Sequence, residues 1–436
     1  MATLLKLTLV FAGIVILLSR KWNLGLVLLL ASVTVGILFA YPLSEIGRDV
    51  LFTVVDFPTL QLALGASNAA NTLVILRTAD VLSLRLVLIV VLIMTLGELL
   101  RQTASTQRMV QSLQALISNG RIVIAAIPAL IGLLPMVGGA MFSAPMVDEV
   151  GDRLGANGER KTFVNYWFRH IWEPILPLYP SMLLGAEMLG LTTTQLAKMT
   201  WPLAAAAVTG GLLFGLLGLP RRSDADPPPS HRAPSLRTLA LLANSIWPIA
   251  LVITLSPILP VDERFGLILS LLVTIALMMA IKRIPLRDLG TILRTRIPWK
   301  TVVVIFGALI FRRVLENSGA VLAVSDSLID LHIPLAAVAF GVPCIAGLLT
   351  GLMAAGFSIG FPVVLPLVAL DGAGISSAWA VWLMAGGIVG TMLSPVHLCL
   401  GLTRVYFKAK WGPVYRMLAP AAFLMTATAA GMLLLS

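Results

Sequence analysis

Apolar residues fall in blocks long enough to cross roughly 30 Å of hydrocarbon as helices, separated by short polar stretches. The blocks cover residues 4–18, 24–41, 84–100, 163–184 and 200–219, then 239–259, 265–281, 301–315, 378–402 and 414–435. Each predicts a helix. Two further apolar stretches, about 121–148 and about 333–370, are broken by glycine and proline. Pro128, Pro135, Gly138, Gly139 and Pro145 punctuate the first, and Pro334, Pro343, Gly347, Gly351, Gly356, Gly360 and Pro362 the second. Proline removes a backbone donor, and irregular backbone is not tolerated against lipid, so both stretches are expected as re-entrant helical hairpins buried in protein.

The pattern repeats at a constant shift. Gly132-Leu133-Leu134 recurs as Gly347-Leu348-Leu349, Phe142-Ser143 as Phe357-Ser358, Trp167 as Trp382, and Leu178-x-Pro180 as Leu393-x-Pro395. A duplicated unit with an odd number of spans must insert in opposite senses, which predicts an all-α polytopic fold of two inverted-topology repeats. Each repeat would hold five spans, one re-entrant hairpin and one broken helix. The expected boundaries are 1–220, with its broken helix at about 163–185, and 238–436, with its own at about 378–402. A solvated linker, 221–237, carrying Pro227-Pro228-Pro229 and alternating charges, joins them. Residues 51–76, with Gln61, Asn68 and Asn71, have no counterpart in the second half, and a full span there would break the parity.

Composition agrees with the membrane reading, with 58% hydrophobic and 12% charged residues. The net charge of +11 does not indicate nucleic acid, because Lys and Arg lie in short loops between apolar blocks. With the hairpins returning to the side they left, Arg20-Lys21, Arg101, Arg108 and Arg121, Arg221-Arg222, residues 282–300, and Arg404 with Lys408 and Lys410 share one side. Such loops mark the cytoplasm, so the expected location is a prokaryotic cytoplasmic (inner) membrane with both termini outside. The opposite loops, with Glu45, Asp49, Asp56, Glu187, Lys198, Asp262-Glu263, Asp326 and Asp330, are neutral to acidic. The N-terminal block lacks a signal-peptide cleavage site and is expected to remain in the mature chain. Cys344 and Cys399 sit in apolar stretches and read as small core residues.

Ionisable groups inside a span are costly and point to function. The densest set is Asn165, Arg169, His170 and Glu173, followed by Pro174, Pro177, Tyr179 and Pro180, where three prolines preclude a regular helix. The matching stretch of the second half carries Gly386-Gly387, Thr391, Ser394, Pro395 and His397. Paired discontinuous helices expose termini whose partial charges hold ions and anionic groups. Arg169 suits a carboxylate or phosphate, and His170, Glu173 and His397 suit proton exchange. Gly138, Gly139 and Ser143 in one hairpin and Gly356 and Ser358 in the other offer bare amides and hydroxyls for a substrate or cation. Thr391 and Ser394 complete the expected binding set. Asp148 and Glu149 read either as ion-gating groups or as interface carboxylates. A second reading makes Arg169 and Glu173, four apart, a buried pair that pins a helix. A His-x-x-Glu zinc site lacks a third ligand close in sequence, so no metal is expected there. Thr350 and Ser358 also read as helix-packing residues. Glu98 and the Arg312-Arg313-Glu316 group read as local pairs at the interface.

The runs from Gly138 to Glu149, from Asn165 to Pro174 with Leu178-Tyr179-Pro180, and from Leu393 to Leu400 resemble an uncharacterised family of prokaryotic integral membrane proteins related to the ion transporter superfamily, alongside dicarboxylate–sodium symporters and gluconate permeases. The resemblance covers nearly the whole chain. It implies an elevator-like transporter with one inward-opening and one outward-opening hairpin. The dicarboxylate members carry tips resembling Ser-Asn-Thr for sodium and substrate, whereas the tips here read Met-Val-Gly-Gly and Ala-Gly-Phe-Ser.

The expected function is therefore secondary active transport of a small organic anion, coupled to protons or sodium, in a homodimer within the lipid bilayer. No cofactor is expected, sodium being the one candidate ion. Three rivals remain open. A lipid or lipid-phosphate translocase would need a groove reaching the bilayer, and a passive channel a continuous pore. An intramembrane hydrolase would use Ser394 and His397 with an acidic partner for the imidazole.

Overall fold

The computed structural model describes residues 2–54, 82–117, 119–134, 139–220, 236–297, 299–320, 323, 333–368 and 375–436. Pro135, Gly138, residues 55–76 and most of the linker lie outside them, as do Asp326 and Asp330. Among the described residues every regular element is helical.

The first half runs α1 (Ala2–Ser19), α2 (Leu24–Leu38), α3 (Leu43–Val54), α4 (Leu82–Gln102), α5 (Ser105–Leu116), α6 (Gly120–Gly132), α7 (Gly139–Arg153), α8 (Gly158–His170), α9 (Pro180–Met188) and α10 (Thr193–Gly210). The second runs α11 (Leu236–Ile258), α12 (Glu263–Lys282), α13 (Leu286–Thr295), α14 (Trp299–Asn317), α15 (Leu335–Thr350), α16 (Met353–Val368), α17 (Ser377–Leu393), α18 (Leu398–Tyr406) and α19 (Trp411–Leu434). Local chemistry sets the starts. Asn23, Asn119, Asn157 and Asp262 accept hydrogen bonds from the first free amides of α2, α6, α8 and α12, and Thr192 with Gln195 closes a capping box on α10.

Among the described residues five helical stretches are long and apolar enough to cross a membrane: Thr193–Leu216, Leu236–Ile258, Glu263–Lys282, Ser377–Tyr406 and Trp411–Leu434. Other expected spans are shorter or end in charge. Helix α2 has 15 residues, about 22 Å of rise, and α14 carries Arg312, Arg313 and Glu316 in its last turns.

Three helices occupy stretches that read as loops. Helices α3, α5 and α13 are short and amphipathic, and their polar faces break the apolar run by which spans are recognised. Helix α3 is pinned by Asp49, 2% exposed, which accepts from the Tyr41 hydroxyl at 2.9 Å and from Asn317 Nδ2 of α14 at 2.8 Å. Arg313 approaches the same carboxylate at 3.6 Å.

Two helix pairs stand where hairpins are expected, α6–α7 and α15–α16. The turn of the second lies at Gly351-Leu352, five residues before Gly356, because Gly351 takes the left-handed conformation (φ +66°) that ends α15. Gly356 and Ser358 therefore lie inside α16 and not at a tip. Gly356 packs against Gly387 and Pro343, while Ser358 is fully buried.

Two helices break. Helix α8 stops at His170, residues 171–179 form turns, and α9 begins with Pro180 in its first turn. Helix α17 stops at Leu393, and α18 begins after His397, with Pro395 in the gap. Helix α10 ends in a π-helical stretch, Gly211–Leu216. There Gly211 and Gly215 give room to the rings of Phe168, Trp167 and Phe163, and Trp167 Nε1 donates to the Ala207 carbonyl at 2.7 Å. Phe163, Tyr166, Trp167, Phe311, Phe357 and Phe361 are almost wholly enclosed.

Away from these breaks, α2 crosses α14 at Gly25 and Gly307, whose missing side chains let the two backbones touch.

Candidate functional site

The break between α8 and α9 leaves a gap in the helix ladder, and the break between α17 and α18 faces it. Between them lies a cavity of about 530 Å³. Its inner wall is Arg169, His170, Glu173, Tyr179, His397 and Cys399, with Met353 and Ala354 from the second helix pair. Lys21, Trp22, Asn23, Lys300 and Thr301 form its other end. Four of the sequence-predicted polar groups, Arg169, His170, Glu173 and His397, thus share one wall.

Arg169 is 4% exposed, and its Nη1 donates to Cys399 Sγ across the two breaks at 3.8 Å. Helix α7 begins directly against it, since a Cβ built at Gly139 would stand 2.6 Å from Arg169 Nη2. Tyr179 donates its hydroxyl to the Gly132 carbonyl, joining the broken segment to α6. His170 Nδ1 lies 2.6 Å from the Tyr166 carbonyl oxygen. A carbonyl only accepts, so Nδ1 is the donor in this contact. The His170 and His397 rings meet edge-on, centroids 5.0 Å apart, and Tyr166 packs on both at 4.7 and 5.2 Å.

Glu173 does not sit on regular helix. Helix α8 ends at His170, and Glu173 Oε1 stands 4.0 Å from His170 Nε2. Its other oxygen, Oε2, is buried without a hydrogen-bond partner among the described residues.

The remaining predicted residues divide. Gly138 lies outside the described residues. Asn165, Ser143, Ser358, Thr391 and Ser394 are buried but do not line the cavity. Asn165 Nδ2 donates to the Ala140 carbonyl at 2.8 Å and to Thr403 Oγ1 at 3.3 Å, tying α8 to α7 and α18. Ser143 bonds back to its own helix, and the Thr391 hydroxyl packs under Gly347. The Ser394 hydroxyl donates to the Leu348 carbonyl at 2.6 Å, so it is not aligned on His397. Pro174, Pro177, Pro180 and Pro395 all lie in or at the edge of the breaks.

Asp148 and Glu149 stand apart from this wall, nine and ten residues along α7 from Gly139, about 14 Å of rise. Asp148 and Asp152 hold Lys161 Nζ at 2.7 and 2.5 Å, and Glu149 pairs with Arg153 at 3.2 Å. Burial works against the Lys161 charge, but the two carboxylates outweigh it and raise its pKa.

Sequence reasoning passed over Cys399 and Tyr166. The signal for the thiol was its place two residues after His397, beside a helix break.

The chain belongs to the DUF401 family, described as proteins of unknown function, which it matches over residues 27–435. Comparison with curated proteins finds no match. Among solved structures the chain is similar to the YdaH transporter of Alcanivorax borkumensis, described as having an unusual topology. The identity is 14%, the match covers 89% of this chain and 97% of that chain, and the TM-score is 0.54. At that identity the likeness is one of fold. Helices able to cross a membrane and the fold of a transporter make this a multi-pass membrane protein.

Proposed function

We propose that this DUF401 member is a secondary active transporter of a small organic anion, coupled to protons or sodium, working by elevator-type alternating access. The observation that carries this reading is a cavity at two facing helix breaks, with one guanidinium on its wall and imidazoles and a carboxyl beside it. Arg169 holds the anion in two places, and His170, Glu173 and His397 exchange the coupling protons. A metabolite-sized molecule fits the 530 Å³ available.

The recurrence at a fixed shift supports two inverted repeats, since α6 and α7 begin at Gly120 and Gly139 and α15 and α16 at Leu335 and Met353. In this reading the two helix pairs and two broken helices move together against a scaffold that includes the α2–α14 crossing. The scaffold pairs with a second copy. In this reading the basic loops face the cytoplasm, which supports an inward-opening cavity with Lys21 and Lys300 at its mouth and both termini outside.

Purified protein is to be screened by thermal unfolding against carboxylates and phosphates, with and without sodium and across pH. An anion at a hundred times its Kd should raise stability by about 2.7 kcal/mol. Arg169→Ala should unfold as cooperatively as the wild type yet gain nothing from that anion, and should not take it up in proteoliposomes. Full protection of the variant would move the site elsewhere.

A further inference from the structure

We propose that His170, His397 and Cys399 form a binding site for a divalent transition-metal ion of the zinc class. One ligand atom from each lies within 4.8 Å of the other two. Bonds of about 2.0–2.3 Å would draw them together by roughly an ångström, within reach of side-chain rotation. The donor set of two imidazoles and a thiol suits zinc or cobalt and disfavours magnesium or calcium, which take oxygen.

The surroundings are those of a ligand set. A metal-binding histidine commonly gives its second N–H to a backbone carbonyl, and His170 Nδ1 has that partner in Tyr166, which leaves Nε2 as its ligand atom. His397 Nδ1 is buried with no hydrogen-bond partner among the described residues. Arg169 Nη1 stands 3.8 Å from the Cys399 sulfur and fixes the thiol at the edge of the cluster. Glu173, 8% exposed, lies beside the cluster with its Oε2 buried and unpartnered among the described residues. Three protein ligands beside a cavity leave a fourth position for a water or an incoming group. His170 comes from the first broken helix and His397 with Cys399 from the second, so a bound ion would also bridge the two breaks. The site shares its cavity with the transport reading but does not rest on it.

The test uses full-length protein in detergent, stripped with chelator and titrated with Co²⁺. The expected result is a single bound equivalent with a near-ultraviolet thiolate-to-cobalt absorption band that Zn²⁺ displaces. Cys399→Ser should abolish the band, and Cys344→Ser should keep it, with cooperative unfolding showing that both are folded. His170→Ala and His397→Ala should weaken Co²⁺ binding by more than the roughly 10- to 100-fold that supporting residues alone cost. A band that survives Cys399→Ser, or no binding by the wild type, overturns the proposal and reduces the cluster to ring packing. Anion protection measured on the stripped protein reports on the transport reading separately, so either can fail without the other.

Discussion

Arg169 is enclosed so tightly that two residues packed against it, Gly132 and Gly139, have no room for a side chain. A Cβ at Gly132 would run into the Arg169 main-chain carbonyl, whereas one at Gly139 would meet the movable end of the guanidinium. The two substitutions should therefore differ. Gly132→Ala has backbone to displace and is expected to lower the unfolding midpoint, and Gly139→Ala to weaken anion binding while leaving the midpoint nearly in place; measuring both quantities for both variants checks this. Lys161 offers a pH test. Its pKa is raised in the fold, so its stabilising charge is fully present below the unfolded value of about 10.4 and fades as pH climbs through the higher folded value. Lys161→Met should flatten that alkaline loss in a series of thermal melts. At this scale the sequence exposes polar groups set in apolar runs, which is why Arg169, His170, Glu173 and His397 could be read from it. Cys399 could not, because a thiol in such a run looks like filler, and its neighbours across the breaks are far away in the chain.

Helix breaks were legible because proline has no amide to give. The turn of the second helix pair was not, since glycines occur throughout 341–360 and only one, Gly351, has the positive φ that closes a helix. Alanine there must adopt a left-handed conformation at a cost of about 1–2 kcal/mol. Its Cβ would also stand 2.7 Å from the His397 amide nitrogen. Gly351→Ala is expected to destabilise the protein and to disturb His397, while Gly341→Ala, with open space around its Cβ, should be neutral in the same unfolding assay. Helices α3, α5 and α13 escaped the hydropathy pattern for the opposite reason, each being half polar.

Across the whole molecule, the cavity reaches from the two breaks to Lys21, Lys300 and Thr301. If that end opens to the cytoplasm, Thr301→Cys in a cysteine-free background should react with a membrane-impermeant thiol reagent in inside-out vesicles and not in right-side-out ones. The transported anion should slow the labelling. Reaction from the outer face alone would reverse the orientation. The outer wall has a further property. Leu24 and Val304, which line it, sit beside Gly25 and within one turn of Gly307, where α2 and α14 touch backbone to backbone. The bore of the passage is thus gauged by a joint that contributes no atom to its lining, and a single methyl group at that joint would recalibrate which solutes fit.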